Sequence, residues 1–561
     1  MCGIAGTLKF DQSAPDKAGL ERAQAALARR GPDGCGIHIA GNVGLVHTRL
    51  SIVDLAAGAQ PMTGRFGVTI VFNGEIYNDP ELRDMLAQNY PYQTQSDTES
   101  ILALYQAKGA DFPKYLRGMY AVALYDPRHE RLILARDPFG IKPFYIEESS
   151  EALSFASEIK AIHALRSQSQ TQAPSPSPSQ SCAPDPAKLR GWLAKGYLQQ
   201  GDVPYQGLSK LKPGEVRVYE KNRLTAQYWI ESLQKHEGSQ ERDYKSADPQ
   251  KALEDLEAQL LDSVQKHTRS DVGYGVFLSG GVDSTSLCVA LKKLGVEAVQ
   301  TYTAAFDVAA AKDEREIAQK TAKAMGFAYN EILVREADFW ENLPLIAAYM
   351  DDPVADYAII PTWLLARRAA QSERVVLCGE GGDEMLAGYG RYKPRFWKDW
   401  RAVFRDDPHR SSYHAAWTSL QKKQAKDIWT YLPNDLLVKL DICLMAHGLE
   451  GRTPYLDQDF SPFAFHLPDG LKRQGKHGKY LLKKWLSREF PDYPAFAKKQ
   501  GFTVPVGAWI DNRRSEVLAM ITGSALMREL LSREELSAVS SLPSKNLWPL
   551  LYLAHWASTR Y

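Results

Sequence analysis

The chain has 561 residues, of which 44% are hydrophobic and 24% are charged, and its formal net charge is +1 at pH 7. This composition is typical of a folded globular protein with at least two domains, and it excludes an intrinsically disordered chain. The near-neutral charge gives no electrostatic basis for binding nucleic acid or an anionic membrane.

The six cysteines are scattered along the sequence, at positions 2, 35, 182, 288, 378 and 443. No C-x-x-C pair occurs, so the sequence predicts neither a disulfide framework nor a zinc site. No apolar run is long enough to span a membrane, and the first residues lack the basic and apolar regions of a secretory signal. We therefore expect a cytoplasmic protein.

Cys2 stands immediately after the initiator methionine. Removal of that methionine would give Cys2 a free α-amine, whose unperturbed pKa is about 7.7–8.0, so one residue would carry both a nucleophile and a base. The alternative is that Cys2 is a small buried residue at the start of a strand. Position alone favours this alternative.

Three polar clusters follow or interrupt β-like apolar runs in the first part of the chain. They lie within residues 44–54, 68–78 and 95–99. Such clusters fall at strand ends or in loops, where binding and catalytic sites are usually built. Together with Cys2, they indicate an active site.

With Cys2, these motifs resemble those of the class II glutamine amidotransferases, in which an N-terminal cysteine hydrolyses glutamine. The resemblance runs from Cys2 to about residue 164 and implies an α+β N-terminal nucleophile fold, with antiparallel sheets and helices. It implies that Cys2 is the nucleophile, that its amine is the general base, and that a γ-glutamyl thioester forms. The Asn73 side chain and the Gly74 N–H would form the oxyanion hole. The implied glutamine-binding residues are Arg49, Leu50, Ser51, Ile52, Val53, Asn73, Gly74, Glu75 and Asp97.

Within this set, Arg49 would bind the substrate α-carboxylate through its planar fork of donors, and Asp97 would bind the substrate ammonium with help from Glu75. Each residue also has a purely structural interpretation. Arg49 would then form a surface ion pair, Asn73-Gly74 a hairpin turn, and Asp97 the N-cap of the following helix. For Asp97 the two roles are compatible.

The predicted domain organisation has four parts. Residues 2–166 form the glutaminase domain, 167–186 a Ser-, Pro- and Gln-rich insertion, 187–247 a connecting region, and 248–561 the second domain. The composition of the insertion cannot bury enough apolar area to fold. Strands at 215–219 and 228–229 of the connecting region are expected to pack near the first domain.

Strands alternate with helices from residue 271 onwards, and this pattern predicts a parallel sheet flanked by helices. The predicted strands cover residues 272–278, 299–306, 330–334 and 375–378, and the predicted helices cover 284–294, 314–325 and 361–370. Ligands of such sheets bind beyond the carboxyl ends of the strands, and two glycine-rich turns lie at such ends.

The first of these turns has the sequence Leu278-Ser279-Gly280-Gly281-Val282-Asp283-Ser284. Adjacent glycines let N–H groups approach an oxyanion, and the helix N-terminus adds partial positive charge. The turn lacks the lysine of a G-x-x-x-x-G-K-[ST] loop, which argues against kinase-type phosphoryl transfer. The alternative is an ordinary strand-to-helix turn, but the flanking serines and Asp283, a candidate magnesium ligand, favour a phosphate site.

The second turn has the sequence Cys378-Gly379-Glu380-Gly381-Gly382-Asp383-Glu384. It again joins an apolar strand to glycines, and it adds three carboxylates. Helix N-capping is the alternative for Asp383 and Glu384.

The two turns resemble those of the asparagine synthetase domain and, more widely, of the PP-loop ATP pyrophosphatases, which split ATP between its α and β phosphates. The resemblance implies an α/β parallel-sheet domain that binds ATP and Mg²⁺, with Asp283 and Asp383 as magnesium ligands and Glu380 assisting acyl-adenylate formation. The implied ATP and pyrophosphate contacts are Leu278, Ser279, Gly280, Gly281, Asp283, Ser284, Ala304, Cys378, Gly379 and Lys479. For Lys479 a solvated basic helix face is equally compatible with the sequence.

Together the two halves resemble the glutamine-hydrolysing asparagine synthetases, in their long bacterial form. The implied reaction delivers ammonia from glutamine, through a channel between the sites, to aspartate activated as β-aspartyl-AMP. Residues 497–505 resemble the K-x-G-F-x-x-P tail of long forms, some of which amidate other carboxylates, so a uronic acid of a surface polysaccharide is the alternative acceptor. We expect the acceptor to be recognised by residues 351–356 and 449–457, the latter resembling E-x-R-x-P-[FY]-L-D.

The expected partners are therefore the small molecules glutamine, ATP and aspartate, without nucleic acid or a membrane, and the sequence leaves a homodimer open. The sequence argues against two further classes of function. A non-catalytic relative is disfavoured by the intact set Cys2, Arg49, Asn73, Asp97, Asp283 and Asp383. A PP-loop RNA-modifying enzyme is disfavoured by the neutral charge and the N-terminal nucleophile.

Overall fold

The structure is a computed structural model that describes residues 2–166, 183–199, 201–233, 248–307, 315–392, 413–497 and 504–560. Most of the predicted insertion at 167–186, and residues 498–503 of the predicted C-terminal tail, lie outside the described residues.

The N-terminal domain is built on two six-stranded antiparallel sheets, as predicted. Its strands are β1 (Gly3–Lys9), β2 (Gly34–Ala40), β3 (Val43–Arg49), β4 (Met62–Thr63), β5 (Thr69–Ile76), β6 (Gly118–Asp126), β7 (Arg131–Arg136), β8 (Tyr145–Glu148), β9 (Ala152–Ala156), β10 (Leu208–Lys210), β11 (Glu215–Glu220) and β12 (Arg223–Trp229). The strand order is β10-β8-β9-β1-β3-β2 in one sheet and β12-β11-β7-β6-β5-β4 in the other. The predicted connecting region therefore contributes β10 to one sheet and β11 and β12 to the other.

The two sheets pack face to face, and helices cover their outer faces. Alternate residues of β1 point in opposite directions, so Ile4 and Leu8 pack between the sheets with Val71 of β5, whereas Ala5 packs on the helix side with Leu20. The helices on the first sheet are Lys17–Ala26 and Ile159–Leu165, and those on the second are Asp79–Leu86 and Asp97–Lys108. This layering places the N-terminus of β1 at the edge of a rigid sandwich.

The C-terminal domain contains a five-stranded parallel sheet, as predicted. In the order β15-β14-β13-β16-β17, it uses β13 (Tyr274–Phe277), β14 (Gln300–Phe306), β15 (Ala328–Val334), β16 (Val375–Leu377) and β17 (Glu450–Arg452). The edge strand β17 was not predicted, because Glu-Gly-Arg lacks the apolar run by which buried strands are recognised. Buried apolar side chains cover both faces of the sheet.

Helices make up most of the remaining C-terminal half. They are Pro186–Leu193, Pro249–His267, Val282–Lys293, Arg315–Met325, Glu336–Tyr349, Ile359–Ala369, Gly382–Met385, Ser419–Trp429, Leu437–Met445, Phe460–His466, Asp469–Lys472, Tyr480–Glu489, Val506–Asn512, Arg514–Gly523, Ala525–Leu530, Arg533–Ala538 and Ser544–Ala557. None of the described helices combines the length and the hydropathy that crossing a bilayer requires.

Buried ion pairs join the two domains. Arg30 Nη1 lies 2.8 Å from Asp441 Oδ2, and Arg117 Nη2 lies 2.8 Å from Asp457 Oδ1. Lys210 Nζ of β10 lies 2.5 Å from Asp352 Oδ2. Breaking such a pair is costly, because the remaining charge is left without water or a counter-ion.

We expect Lys210→Met to lower the free energy of unfolding by about 3–5 kcal/mol, because Asp352 would stay buried without a counter-ion. Within the part of the chain that the structure describes, the Tyr145 hydroxyl, at 3.4 Å, is the remaining hydrogen-bond donor to that carboxylate. Denaturant unfolding of the full chain measures the loss. Adding Asp352→Leu should recover most of it.

The matched control for this prediction is an exposed pair, Lys251 and Asp255, whose charged atoms are 3.1 Å apart. Lys251→Met should change the unfolding free energy by less than about 0.5 kcal/mol, because water screens that pair. Equal effects of the two lysine replacements would contradict a stabilising role for the buried pair.

Candidate active sites

Cys2 lies directly before β1 and is 8% exposed. Its backbone nitrogen donates a hydrogen bond to Asn73 Oδ1 on β5, at 3.0 Å. Its carbonyl oxygen accepts one from Arg30 Nε at 3.1 Å, and Asp441 of the C-terminal domain binds the same guanidinium. Both sheets and the second domain therefore hold Cys2 in place.

The local environment of the Cys2 thiol disfavours its charged form. Burial raises the pKa of this thiol, and the Leu50 N–H and the Arg49 guanidinium lower it only in part. A thiolate nucleophile at this position therefore requires a nearby base.

Asn73 and Gly74 fit the predicted oxyanion hole. Both lie inside β5, so the hairpin-turn alternative for this pair is wrong. Asn73 is fully buried, and within the described part of the chain its Nδ2 has no hydrogen-bond partner. Burying a hydrogen-bond donor without an acceptor destabilises a protein by about 1–3 kcal/mol. Such a donor is therefore expected where a substrate oxygen accepts its hydrogen bond. At Gly74 a Cβ would lie 2.0 Å from the Met119 carbonyl oxygen, so only glycine fits.

Arg49 contacts the loop that follows β3. Its guanidinium donates to the carbonyl oxygens of Val53, Asp54 and Leu55 at 3.3, 2.6 and 3.2 Å. Among the described residues it forms no ion pair, contrary to the structural alternative. The other predicted loop residues also lie here: Leu50 and Ile52 are buried, and the Ser51 N–H donates to Asp33 Oδ2 at 2.8 Å.

Asp97 and Glu75 are neighbouring buried carboxylates. Asp97 Oδ2 accepts a hydrogen bond from the Ile76 N–H at 2.8 Å, and burial and the Asp79 charge raise its pKa to about 6. Burial and Asp97 likewise raise the pKa of Glu75 well above its usual value. The N-cap of the helix Asp97–Lys108 is Ser96, so Asp97 is not the cap. Two carboxylates close together suit a substrate ammonium.

The first glycine turn links β13 to the helix Val282–Lys293, and Gly281 is the N-cap. The hydroxyl of Ser284 lies 3.1 Å from that of Ser279 and accepts a hydrogen bond from the Ser279 N–H at 3.2 Å. Gly280 has a φ of +79°, in the left-handed region that favours glycine. Two hydroxyls and a helix N-terminus thus face one small turn, which suits a pyrophosphate.

Lys479 joins the two turns. Its Nζ lies 2.7 Å from Asp383 Oδ1 and also forms a hydrogen bond with Asp283 Oδ2. The residue is 5% exposed and precedes the helix Tyr480–Glu489, so the solvated-face alternative is wrong. At Gly388 a Cβ would lie 1.8 Å from Asp383 Oδ1, so glycine leaves room for these charges.

The second turn does not use its carboxylates as helix caps. Gly381 is the N-cap of the short helix Gly382–Met385, and no side chain caps it. Glu384 instead accepts a hydrogen bond from the Tyr389 hydroxyl at 2.6 Å. Asp383 is therefore directed to Lys479 and the first turn.

Asp283 and Asp383 fit a magnesium ion that also binds phosphate. Their carboxylate oxygens are hard ligands that Mg²⁺ prefers, and both flank Lys479. In the described ranges, no three His, Cys, Asp or Glu side chains cluster closely enough to hold a metal. Phosphate oxygens and waters would have to complete the octahedral coordination. The metal role of the two carboxylates stays a prediction.

The predicted adenosine contacts also come together at the carboxyl edge of the sheet. The N–H groups of Leu278 and Cys378 are used within the protein, by the carbonyls of Tyr302 and Arg452 at 2.9 and 2.8 Å. Adenosine would therefore have to use backbone carbonyls or the N–H groups of Ala304 or Gly379.

Glu380 lies beside a buried polar cluster that the sequence analysis did not identify. Lys439 Nζ lies 2.6 Å from Asp356 Oδ2, and burial and Asp356 raise the pKa of the nearby Asp435 carboxyl to about 8. Burial raises the pKa of Glu380, and Lys439 opposes this. The available signal was a lysine and two aspartates interrupting the otherwise apolar residues 435–445.

The segments expected to recognise the acceptor lie in different places. Asp356 belongs to the cluster beside Glu380, whereas Asp352 pairs with Lys210 at the domain interface. In segment 449–457, Arg452 and Asp457 contact the N-terminal domain. Direct contact with an acceptor is thus compatible with Asp356 but not with these two side chains.

Comparison with known proteins gives two matches to family models. The model described as asparagine synthase matches residues 255–558, and the model described as glutamine amidotransferase domain matches residues 1–230.

Similar proteins extend over nearly the whole chain. The glutamine-hydrolyzing asparagine synthetase 1 of Bacillus subtilis (strain 168) is 28% identical, over 100% of this chain and 96% of that protein. The glutamine-hydrolyzing asparagine synthetase B of Escherichia coli (strain K12) is 29% identical, over 94% of this chain and 86% of that protein. A solved structure of glutamine phosphoribosylpyrophosphate amidotransferase from B. subtilis matches 60% of this chain and 81% of that chain, with 16% identity and a TM-score of 0.29, too low to support a conclusion. Since the asparagine synthase model spans more than half of the sequence, the chain belongs to the asparagine synthase family.

Proposed function

We propose that this chain synthesises L-asparagine in a reducing cytoplasm. L-aspartate, L-glutamine, ATP and water would give L-asparagine, L-glutamate, AMP and diphosphate, through a β-aspartyl-AMP intermediate. The observation that carries the proposal is the helix Leu437–Met445, which connects the two candidate sites. Asp441 of this helix binds Arg30 beneath Cys2, and Lys439, two residues earlier, lies beside Glu380.

Glutamine hydrolysis would take place at Cys2. After removal of Met1, the α-amine would accept the thiol proton while sulfur attacks the glutamine amide carbon. Asn73 Nδ2 and the Gly74 N–H would stabilise the oxyanion, a contribution whose loss typically costs about 10²–10³ in rate. On collapse, the α-ammonium would return this proton to the amide nitrogen, so that ammonia leaves and the γ-glutamyl thioester remains. Water would then hydrolyse the thioester to glutamate and release the free thiol.

Arg49 would exchange its contacts with backbone carbonyls for the substrate α-carboxylate, which its planar fork of donors matches better. Asp97 and Glu75 would bind the substrate ammonium. This assignment explains why acidic side chains are buried next to the proposed oxyanion hole.

Ammonia would pass between the domains. A cavity of about 10 Å³ lies there, lined from the N-terminal side by Arg136, Ile141 and Tyr145 and from the C-terminal side by Leu437, Val438 and Asp441. Its position on the helix that connects the two sites supports a channel along this interface.

ATP would bind across the two glycine turns. The aspartate β-carboxylate would attack the α-phosphorus, and pyrophosphate would leave into the turn formed by Ser279 and Ser284. Mg²⁺ held by Asp283 and Asp383 would neutralise phosphate charge. Lys479 would do the same from the protein side. Ammonia would then attack the acyl carbon, and AMP would leave.

The charge of the polar cluster favours an amino-acid acceptor. Lys439 suits a carboxylate. The Asp435 carboxyl, whose pKa is raised to about 8, is largely protonated at pH 7, and an ammonium group bound beside it and Asp356 would favour its ionised form. Aspartate carries both groups. A uronic acid lacks the cation, so it would leave Asp435 protonated and would use only part of this cluster.

Pyrophosphate release tests the acceptor. With ATP, Mg²⁺ and glutamine, we expect release to depend on L-aspartate and not on glucuronate. Coupled-enzyme detection of pyrophosphate and chromatography of asparagine would measure it. Glucuronate-dependent release without aspartate-dependent release would favour the uronic-acid alternative.

Cys2→Ala tests the division between the two sites. We expect glutamine-dependent synthesis to fall by at least about 10³, because the thiol nucleophile is lost, while ammonia-dependent synthesis persists. Asparagine formation with either nitrogen source is the readout. Loss of both activities would contradict two separate sites.

Glutamine affinity should depend on the charge of Asp97. Because the pKa of this carboxyl is raised to about 6, it becomes protonated at a higher pH than usual and stops attracting an ammonium. Glutamine binding to Cys2→Ala, measured by calorimetry, should therefore weaken up to about tenfold per pH unit below about pH 6. In Cys2→Ala with Asp97→Asn, binding should be weak and should depend less on pH, because only the contribution of Glu75 remains. Unchanged affinity down to about pH 5 in the single variant would contradict the assignment.

A further inference from the structure

Arg452 is a fully buried arginine at the boundary between the two candidate sites. Its Nε donates to Glu450 Oε1 at 2.6 Å, and its Nη1 donates to the carbonyl oxygens of His267 and Arg269 at 2.8 and 2.6 Å. Its Nη2 donates to Glu75 Oε2 at 3.2 Å. The guanidinium therefore binds groups from three separate parts of the chain.

On the glutamine side, Arg452 contacts the carboxylate next to the proposed oxyanion hole. Glu75 is 3% exposed and adjoins Gly74 in β5, and Arg452 is the cation that most favours its charged form. Arg269 Nη1 lies 3.7 Å from the other oxygen of Glu75. Under the proposed function, a substrate ammonium would become a further cation at this carboxylate.

On the ATP side, the main chain of Arg452 is part of the sheet edge that leads into the second turn. Leu377 pairs with Arg452, and the Cys378 N–H donates to the Arg452 carbonyl oxygen at 2.8 Å. Tyr455 and Leu456, which lie further along the same segment, also contact the two turns. The Tyr455 hydroxyl donates to the Asp283 carbonyl oxygen at 3.0 Å, and the Leu456 side chain packs where a Cβ of Gly381 would lie.

We propose that Arg452 is a positioning residue through which glutamine binding and ATP binding strengthen each other. The inference rests on the proposed function, because it takes Glu75 as part of the glutamine site and Cys378 as part of the ATP site. A bound ammonium would order Glu75 and, through it, the guanidinium. The same residue would then hold β17 and the backbone at Cys378 in place. ATP binding would then cost less conformational entropy, because that turn is already ordered. By thermodynamic linkage, bound ATP would strengthen glutamine binding by the same factor.

Arginine is suited to this role and lysine is not. The planar guanidinium satisfies two carboxylates and two carbonyls at once, whereas an ammonium on a flexible stem has three donors and no fixed plane. Arg452→Lys keeps the charge that the buried carboxylates require and removes this simultaneous geometry. It therefore separates positioning from simple charge balance.

The test measures ATP affinity with and without glutamine. In full-length Cys2→Ala protein, where glutamine binds without being hydrolysed, calorimetry gives the Kd of Mg²⁺-ATP. We expect saturating glutamine to lower this Kd by at least about fivefold, the lower end of typical coupling. When Arg452→Lys is added, the Kd of Mg²⁺-ATP without glutamine divided by the Kd with glutamine should be close to one.

Arg117→Lys is the matched control. Arg117 is also a buried arginine between the domains, but its carboxylate partners are Asp457, Asp459 and Asp262, not Glu75. This variant should keep the glutamine effect on ATP affinity. A ratio of one in the Cys2→Ala protein, or an unchanged ratio after Arg452→Lys, would overturn the proposal.

Hydrogen exchange tests the same link without altering Arg452. In the Cys2→Ala protein, glutamine should slow exchange of the Cys378 amide, which donates to the Arg452 carbonyl. Unchanged exchange would also overturn the proposal, even if Arg452→Lys fails to fold. Failure of the proposed function is distinguishable, since it would appear as absent aspartate-dependent pyrophosphate release in the unaltered protein.

Discussion

Paired charges buried at the domain interface are the constraint on which the rest of this structure depends. Arg30 and Asp441 cannot separate without leaving an uncompensated buried charge, so the two domains have one favourable arrangement. The same pair holds the carbonyl of Cys2 and a helix of the ATP domain. The position of Cys2 and the association of the two domains therefore depend on the same ion pair.

The two glycine turns of the C-terminal domain depend on backbone space more than on side-chain identity. Gly382 leaves room for the Asp283 carboxylate, since a Cβ there would lie 2.6 Å from its Oδ1. Gly388 does the same for Asp383 and Lys479. A side chain at either glycine would collide with these charged groups, so the two glycines leave the space in which the carboxylates of two separate turns reach one lysine.

Local patterns in the sequence were sufficient to predict the parallel sheet and the two glycine turns, because alternating strands and helices and glycine pairs are visible over short distances. The antiparallel N-terminal fold was instead expected from the resemblance to a known family. The edge strand β17 was not predicted, because its three residues do not form an apolar run. The N-cap alternative for Asp97 is wrong by one residue, because the adjacent Ser96 caps this helix. Residue propensities do not locate a helix end to within one residue. Lys439 and Arg452 were not assigned roles because their partners are distant in the sequence, and only the tertiary structure brings them together.

The contrast between the two halves of the ATP domain has an evolutionary consequence. Glycines whose space is filled by Asp283, Asp383 and Lys479 cannot take a side chain unless these groups move. The cluster around Lys439 consists of side chains on a helix, which single substitutions can exchange without moving the backbone. Under the proposed function, substitutions in this cluster would change which carboxylate is amidated while leaving the backbone of the two glycine turns unaltered.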